Sequence, residues 1–165
     1  DPLGLQPGPN PHSYVPTPTT WSDPLGLTPC RPLGFANAEE FETFGRQLYA
    51  GLDQAGHAGT TVVFQGSSVT GFKFTTGEPF DVGRRSDFDI TLAGRPLLER
   101  AVALGLPTRS GGMRTAPLTK PILEGLGLED MWLGLEQLAG REVHFMVYRS
   151  VGDALGRGPG IVVPR

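Results

Sequence analysis

The sequence predicts a mixed α+β domain in which a small mixed β-sheet is flanked by helices. Two observations predict this class. A helical pattern of apolar residues fills 38–55, and strand patterns occupy 60–65, 87–92 and 141–148. The resulting order of helix, strand, strand, helices, strand and helix is typical of a mixed α/β or α+β fold.

The helix over 38–55 has recognisable start and stop signals. Asn37 precedes it and Glu40 follows three residues later, which is a capping box with Asn in place of Ser or Thr. Gly56 is suited to the C-terminal cap. The apolar residues at helical spacing are Phe41, Phe44, Leu48 and Leu52.

The remaining elements follow from local composition. Residues 60–65 are β-branched and apolar between two glycines, which is typical of a buried strand, and 87–92 alternate strictly. The stretch 67–86 is rich in Gly, Ser and Thr, so we expect it to be functional or to hold a small hairpin. The other predicted elements are helices near 96–104, 118–126 and 129–139, a loop at 107–112 and a short closing helix at 150–155.

Composition excludes several classes of protein. No apolar run approaches the roughly 20 residues that span a bilayer, so we expect no membrane insertion. The net charge of −3 argues against a broadly cationic nucleic-acid binder. The single cysteine, Cys30, forms neither an intrachain disulfide nor a zinc-finger site.

The beginning of the chain differs from the rest. Residues 1–32 hold nine of the 16 prolines, and Asp-Pro-Leu-Gly-Leu occurs at 1–5 and again at 23–27. So few aliphatic residues cannot bury a core. We therefore expect an extended Pro/Gly-rich arm over 1–33 and one globular domain over 34–165.

This arm resembles the end of the repeat region in Rhs/YD-repeat proteins, where the same motif closes a large β-cage. The resemblance covers residues 1–27. It implies that the Rhs shell is the parent polypeptide and that residues from about 34 onward are its variable C-terminal toxin. Several members cut themselves after the motif, which would fall near Leu27. The family also implies secretion, action in the cytoplasm of a target bacterium, and a cognate immunity protein.

The residues that suggest chemistry lie at the ends of the first two strands. Alternation puts Asp87 and Asp89 on one face of the 87–92 strand. Neighbouring carboxylates repel each other unless they are solvated, protonated or bridged by a cation, and Mg²⁺ or Mn²⁺ accepts such a pair. Upstream, the Gly66-Ser67 turn exposes backbone N–H groups and a hydroxyl that are suited to a phosphate.

This combination resembles the nucleotidyltransferase superfamily related to DNA polymerase β, over roughly residues 38–149. The resemblance implies that Gly66 and Ser67 contact a nucleoside triphosphate and that Asp87 and Asp89 bind catalytic Mg²⁺. It also implies transfer of a nucleotidyl group to an RNA or protein acceptor by a two-metal mechanism. The matching residues are Gly66-Ser67 and Asp87-Phe88-Asp89-Ile90.

Further candidates flank this motif. Ser68 continues the turn, while Lys73, Arg84 and Arg85 either bind the triphosphate or are ordinary surface charges. A second basic stretch, 109–114, has the composition of a flexible loop that could hold an acceptor.

Two features depart from the family's pattern. The spacer 68–86 is longer than usual, which indicates an insertion over 71–85. The third carboxylate of the family falls where this chain has His144, and histidine is a poor Mg²⁺ ligand. His144 is therefore either a base toward the acceptor hydroxyl or an ordinary strand residue. Alternation puts Glu142 on the same face of the 141–148 strand as His144. Glu142 therefore takes the place of the third carboxylate only if the register of that strand differs.

Two other functions compete with nucleotidyl transfer. The first is a metal-dependent nuclease, whose layout is Asp…Glu-x-Lys. One Asp of the 87–92 strand together with Glu142 and His144 is similar to this layout, although His144 stands where the nuclease has Lys. The loss of the third carboxylate is also consistent with an inactive nucleotidyltransferase fold that serves as a binding module.

Overall fold

The computed structural model describes residues 31–165. Both Asp-Pro-Leu-Gly-Leu motifs, Cys30 and most of the predicted arm over 1–33 lie outside the described residues. Within the described range, six helices and six strands form the mixed α+β domain that the sequence predicts. None of the helices in this range is both long and apolar enough to cross a bilayer.

All six strands belong to one mixed sheet with the order β3-β4-β5-β2-β1-β6. The helices are α1 (Ala38–Gln54), α2 (Ser67–Thr70), α3 (Arg95–Ala103), α4 (Lys120–Gly125), α5 (Glu129–Ala139) and α6 (Val151–Leu155). The strands are β1 (Thr61–Gln65), β2 (Phe88–Ala93), β3 (Thr108–Arg109), β4 (Arg114–Pro117), β5 (Val143–Tyr148) and β6 (Ile161–Val162).

The caps of α1 confirm the predicted helix boundaries. The Asn37 side chain accepts a hydrogen bond from the Glu40 amide at 2.9 Å. The Glu40 carboxylate accepts from the amide of Ala36, one residue earlier than a strict capping box requires. At the other end, Gly56 has a φ of +81°, and the His57 amide donates to a carbonyl of the last turn, as in a Schellman motif.

The pairing of the central strands brings their polar ends together. β2 is antiparallel to β1 and parallel to β5. In this register Asp89 lies beside Gln65 on one side and beside His144 on the other. The turn after β1, the start of β2 and the start of β5 therefore meet at one end of the sheet.

The two faces of the sheet differ in polarity. A cluster of aromatic rings fills the core on one face, with ring centroids 4.9–6.0 Å apart. Its members are Phe35, Phe41, Phe44, Phe64 and Phe88. On the other face, the Thr91 hydroxyl donates to Gln65 at 2.7 Å, and Gly160 covers Val63. At one end of this face, Gln65 and Asp89 line a cleft.

The structure differs from the sequence-based expectation where elements are short. The predicted loop 107–112 contains β3 and the turn to β4, and β6 was not predicted. β4 was not predicted either. β3 and β6 have two residues each, too few to show a period, and β4 has four residues, the last of which is a proline. The stretch 67–86 begins with α2 and continues as a small hairpin closed by a bridge between Phe72 and Pro79, so the predicted hairpin is confirmed.

Candidate functional site

Three metal-ligating side chains converge at the polar end of the sheet. Asp89 lies on β2, Asp87 directly precedes that strand, and His144 lies on β5 beside Asp89. One ligand atom of each residue lies within 4.8 Å of the others. The prediction that Asp87 and Asp89 face one cleft is confirmed. Together the three residues form a possible metal-binding cluster, whose oxygen ligands suit a divalent cation.

His144 lies on β5, where the sequence resemblance predicts a third carboxylate. Its Nδ1 atom lies 2.9 Å from Asp87 Oδ2, and its Nε2 atom lies 3.8 Å from Glu142 Oε2. Half of the His144 side chain is exposed to solvent. Nδ1 of the ring therefore faces the Asp87 carboxylate, and Nε2 lies on the side of Glu142.

The environment of Asp89 makes ionisation of its carboxyl less favourable when no cation is bound. Burial raises the pKa of the Asp89 carboxyl, the neighbouring charge of Asp87 raises it further, and His144 opposes the shift. A divalent cation supplies the positive charge that this pair of carboxylates lacks. Cations and protons therefore compete for the same oxygens.

We expect divalent cations to stabilise the protein more as the pH rises. The pKa of the Asp89 carboxyl is higher in the folded state than in the unfolded state. The protonated carboxyl therefore adds to the unfolding free energy below the ordinary carboxyl pKa of about 4. This contribution is lost as the pH rises through the raised pKa. A cation bound by the ionised pair reverses this loss. Thermal melts with Mn²⁺ or chelator, between about pH 5 and about pH 8, measure the difference.

Asp89→Asn is the matched variant for these melts. It should remove both the loss of stability with rising pH and the gain from Mn²⁺. Equal melting temperatures in Mn²⁺ and in chelator across this pH range would contradict the assignment of a cation site.

The glycine turn lies directly against one of the carboxylates. Gly66 has φ +70° and ψ −155°, a conformation that is essentially restricted to glycine. A Cβ atom at this position would lie 2.3 Å from Asp89 Oδ2. The amides of Ser67 and Ser68 follow at the start of α2, where backbone N–H groups have no acceptor within the helix. The Ser68 hydroxyl donates to the Gln65 carbonyl, whereas Ser67 lines the cleft.

The turn and the carboxylates form part of an open cleft of about 870 Å³. Its walls come from the turn, from residues 72–75 of the hairpin and from residues 157–159 after α6. Asp87 and Asp89 lie in the same cleft. The volume is in the range that accommodates a small-molecule ligand such as a nucleotide.

The predicted cationic residues have different surroundings. Lys73 lines the cleft but pairs with Glu78 at 3.0 Å, and Arg84 also lines the cleft. Arg85 does not line it and donates instead to the carbonyl of Gly140. Arg157 lines the cleft and was missed, because its Gly- and Pro-rich surroundings carry no motif. The basic stretch 109–114 forms the β3–β4 turn and is likewise outside the cleft lining.

Comparisons with family models, with curated proteins and with solved structures found no match to this chain. The resemblance to Rhs proteins therefore rests on the motifs of residues 1–27, and the resemblance to nucleotidyltransferases rests on the Gly66-Ser67 and Asp87-Phe88-Asp89-Ile90 motifs.

A buried arginine holds the loop that leads to Asp87. The Arg141 guanidinium makes two hydrogen bonds to the Asp81 carboxylate, at 3.0 and 3.1 Å, and a third to the Ser86 carbonyl at 2.9 Å. It lies between the rings of Phe80 and Phe88, 5.0 and 4.7 Å from their centroids. Sequence reasoning missed this contact, because Asp81 and Arg141 are far apart in the chain and neither belongs to a motif.

The charge of Asp81 should contribute to stability at neutral pH. Burial alone would raise the pKa of this carboxyl, but the hydrogen bonds from Arg141 and the Ser86 amide outweigh burial and hold the pKa below its ordinary value. We expect Asp81→Asn to lower the unfolding free energy by about 1 kcal/mol, since the carboxylate is partly exposed. Asn tolerates the φ of +60° at this position, so the change removes charge without adding backbone strain.

Urea unfolding at several pH values measures this effect. A depressed folded pKa gives stability that is complete above about pH 4 and lost as the pH falls through the folded value, so the two proteins should converge in acid. Glu99→Gln, an exposed position in the middle of α3, is the control and should not change the pH profile. A constant difference between Asp81→Asn and wild type at all pH values would contradict this role of the charge.

Proposed function

We propose that residues 34–165 are a toxin domain that transfers a nucleotidyl group from a nucleoside triphosphate to a hydroxyl of an RNA or a protein, with Mg²⁺ or Mn²⁺. The contact between Gly66 and Asp89 carries the proposal. A phosphate bound by the turn would lie beside a cation bound by Asp87 and Asp89. A nucleotide triphosphate needs this juxtaposition of phosphate and cation ligands.

The proposed reaction replaces one phosphorus–oxygen bond by another. The acceptor oxygen bonds to the α-phosphorus, and the bond from that phosphorus to the oxygen of the β-phosphate breaks. Pyrophosphate leaves with the electron pair of the broken bond. Cations bound by Asp87 and Asp89 would neutralise the charge on the α-phosphate and on the leaving group.

We assign the proton of the acceptor hydroxyl to His144. The Asp87 contact at Nδ1 would orient the ring, and Nε2, on the side of Glu142, would take the proton. This role explains why histidine stands where the resembled family has a carboxylate, since imidazole is a poor Mg²⁺ ligand but a good base near neutral pH.

The resemblance of residues 1–27 to the end of an Rhs repeat region supports delivery into another cell. The Rhs shell would be the parent polypeptide, and a cognate immunity protein would protect the producer from an enzyme that acts on a universal substrate. The cytoplasm of a target bacterium, which supplies nucleoside triphosphates, would be the place of action.

Expression of the chain inside bacterial cells should arrest growth. The Asp89→Asn variant should be tolerated at the same protein level, because it loses the cation site while keeping the side-chain shape. Growth curves with matched immunoblots make this comparison. High-level expression of the wild-type chain without loss of growth would contradict the effector role.

A metal-dependent nuclease remains the second candidate, since Glu142 and His144 lie within 3.8 Å of each other beside Asp87. An inactive binding module is the third. Cell extract incubated with the protein, Mg²⁺ and nucleotides labelled at the α-phosphate separates the three. Label on a macromolecule supports transfer, and fragmented nucleic acid supports the nuclease. The absence of both products supports the binding module. Asp89→Asn is the control for each product.

A further inference from the structure

The hairpin inserted between the two motifs presents two phenylalanine side chains to solvent. Phe72 is 57% exposed and Phe74 is fully exposed. The hairpin itself is ordered by backbone hydrogen bonds between Lys73 and Glu78 and between Gly71 and Phe80, at 2.8 Å each. Among residues 31–165, no side chain covers these two large apolar rings on a hydrogen-bonded hairpin, and such exposure is typical of a binding surface.

These rings lie on the wall of the cleft that contains the carboxylates. Phe72, Phe74 and the two cations Arg84 and Arg157 line the same cleft as Asp87. Within residues 31–165, neither arginine has a hydrogen-bonded or ion-paired acceptor, whereas Lys73 is neutralised by Glu78. Aromatic faces and unpaired arginines together match a ligand that carries both a flat ring and phosphate groups.

We propose that the Phe72–Phe74 hairpin stacks an unpaired nucleobase while Arg84 and Arg157 contact the adjoining phosphates. The proposal deepens the proposed nucleotidyl transfer, on which it rests. The base has two possible sources with the same chemistry, the donor nucleotide and the unpaired end of an RNA acceptor. An apolar segment of a protein acceptor fits the surface less well, because it offers no phosphate to the two arginines.

Binding measured without turnover tests this inference separately from catalysis. One arm titrates the full chain into a fluorescent, unstructured RNA oligonucleotide with Mg²⁺ and no nucleotide, and gels verify that the RNA stays intact. The other arm titrates ATP with Mg²⁺ and no acceptor. Neither arm holds a nucleotide together with an RNA, and mass spectrometry verifies that the chain has not modified itself in the ATP arm. The result therefore does not depend on whether the protein is a transferase.

Aromatic substitution distinguishes stacking from simple apolar contact. Phe74→Leu keeps an apolar side chain but removes the ring, and it should weaken binding in at least one arm by between about fivefold and about 150-fold. Phe74→Trp should bind at least as tightly as wild type. Leu133→Ala, an equally apolar exposed position on α5, should leave both arms unchanged. The arm that responds identifies the source of the base.

The salt dependence of binding tests the contribution of the two arginines independently. If RNA is the ligand, Arg84→Gln and Arg157→Gln should each reduce the slope of log affinity against log salt by about 0.7, the value for one lost phosphate contact on a single strand. If the nucleotide is the ligand, each should weaken ATP binding. Wild-type affinity of Phe74→Leu in both arms, or equal losses for Leu and Trp, would overturn the proposal. Failure of the wild-type chain to bind either ligand would also overturn it.

Discussion

Asp87→Asn and Asp89→Asn should each lower the rate of nucleotidyl transfer by at least about 100-fold. Each change removes one negative charge from the cluster in which the ligand atoms of Asp87, Asp89 and His144 lie within 4.8 Å. Loss of a properly held cation removes several kcal/mol of transition-state stabilisation, at about 1.4 kcal/mol per tenfold in rate. Single-turnover assays of the two variants with labelled nucleotide measure the effect.

Folding should survive both substitutions. In the cation-free protein the two carboxylates repel each other, so removing one charge should leave the unfolding free energy unchanged or slightly higher. Glu99→Gln, which removes an exposed carboxylate from the middle of α3, should change neither rate nor stability. Full activity in both cluster variants would show that the catalytic residues are assigned wrongly.

His144 provides the contrast within the same cluster. If it takes the acceptor proton, His144→Ala should lose between about 10² and about 10⁴ in rate, and the loss should shrink as the pH rises and hydroxide replaces the base. His144→Asp restores the carboxylate of the resembled family but not the base. Recovery of activity in His144→Asp alone would identify the position as a cation ligand and refute the base role.

Gly66→Ala should lower both the activity and the stability of the protein. The φ and ψ of Gly66 are accessible only to glycine, which costs any other residue about 1–3 kcal/mol. In addition, the new Cβ would lie 2.3 Å from Asp89 Oδ2, so the carboxylate must move. We expect weaker Mn²⁺ binding and a loss of activity of at least about tenfold, since small displacements of a catalytic group are costly. Thermal melts with Mn²⁺ and transfer assays report the two effects.

Gly77→Ala separates strain from collision. Gly77 also has a positive φ, of +71°, but no atom lies within 4 Å of its hypothetical Cβ. It should therefore lose some stability and keep its Mn²⁺ affinity. If Gly66→Ala behaves like Gly77→Ala in the metal titration, the turn does not position Asp89.

Elements with a strong local pattern could be predicted from the sequence. The apolar spacing and caps of α1, the β-branched run of β1 and the alternation of β2 are local signals, and all three elements form within about one residue of the expected bounds. The proximity of Gly66 and Asp89 was also predictable. A glycine turn at the end of one strand and an Asp-x-Asp motif at the start of the next are expected to lie at the same end of the sheet.

Features that depend on distant partners could not be predicted. β3 and β6 have two residues each and form because a neighbouring strand edge accepts them. The Asp81–Arg141 contact joins a loop to the segment that precedes β5. No pattern in the sequence around either residue indicates which residue it will contact. The exposure of Phe74 could not be predicted either, since the sequence of a loop does not show whether an apolar side chain in it is buried or exposed.

The position of the label on the nucleotide tests the central claim most directly. The purified chain is incubated with Mg²⁺, total bacterial RNA and protein, and a nucleoside triphosphate labelled at either the α- or the γ-phosphate. Nucleotidyl transfer predicts a macromolecule labelled from the α-phosphate and never from the γ-phosphate, with Asp89→Asn giving none. Transfer of the γ-label, or fragmentation of the RNA without any labelled product, would contradict the account.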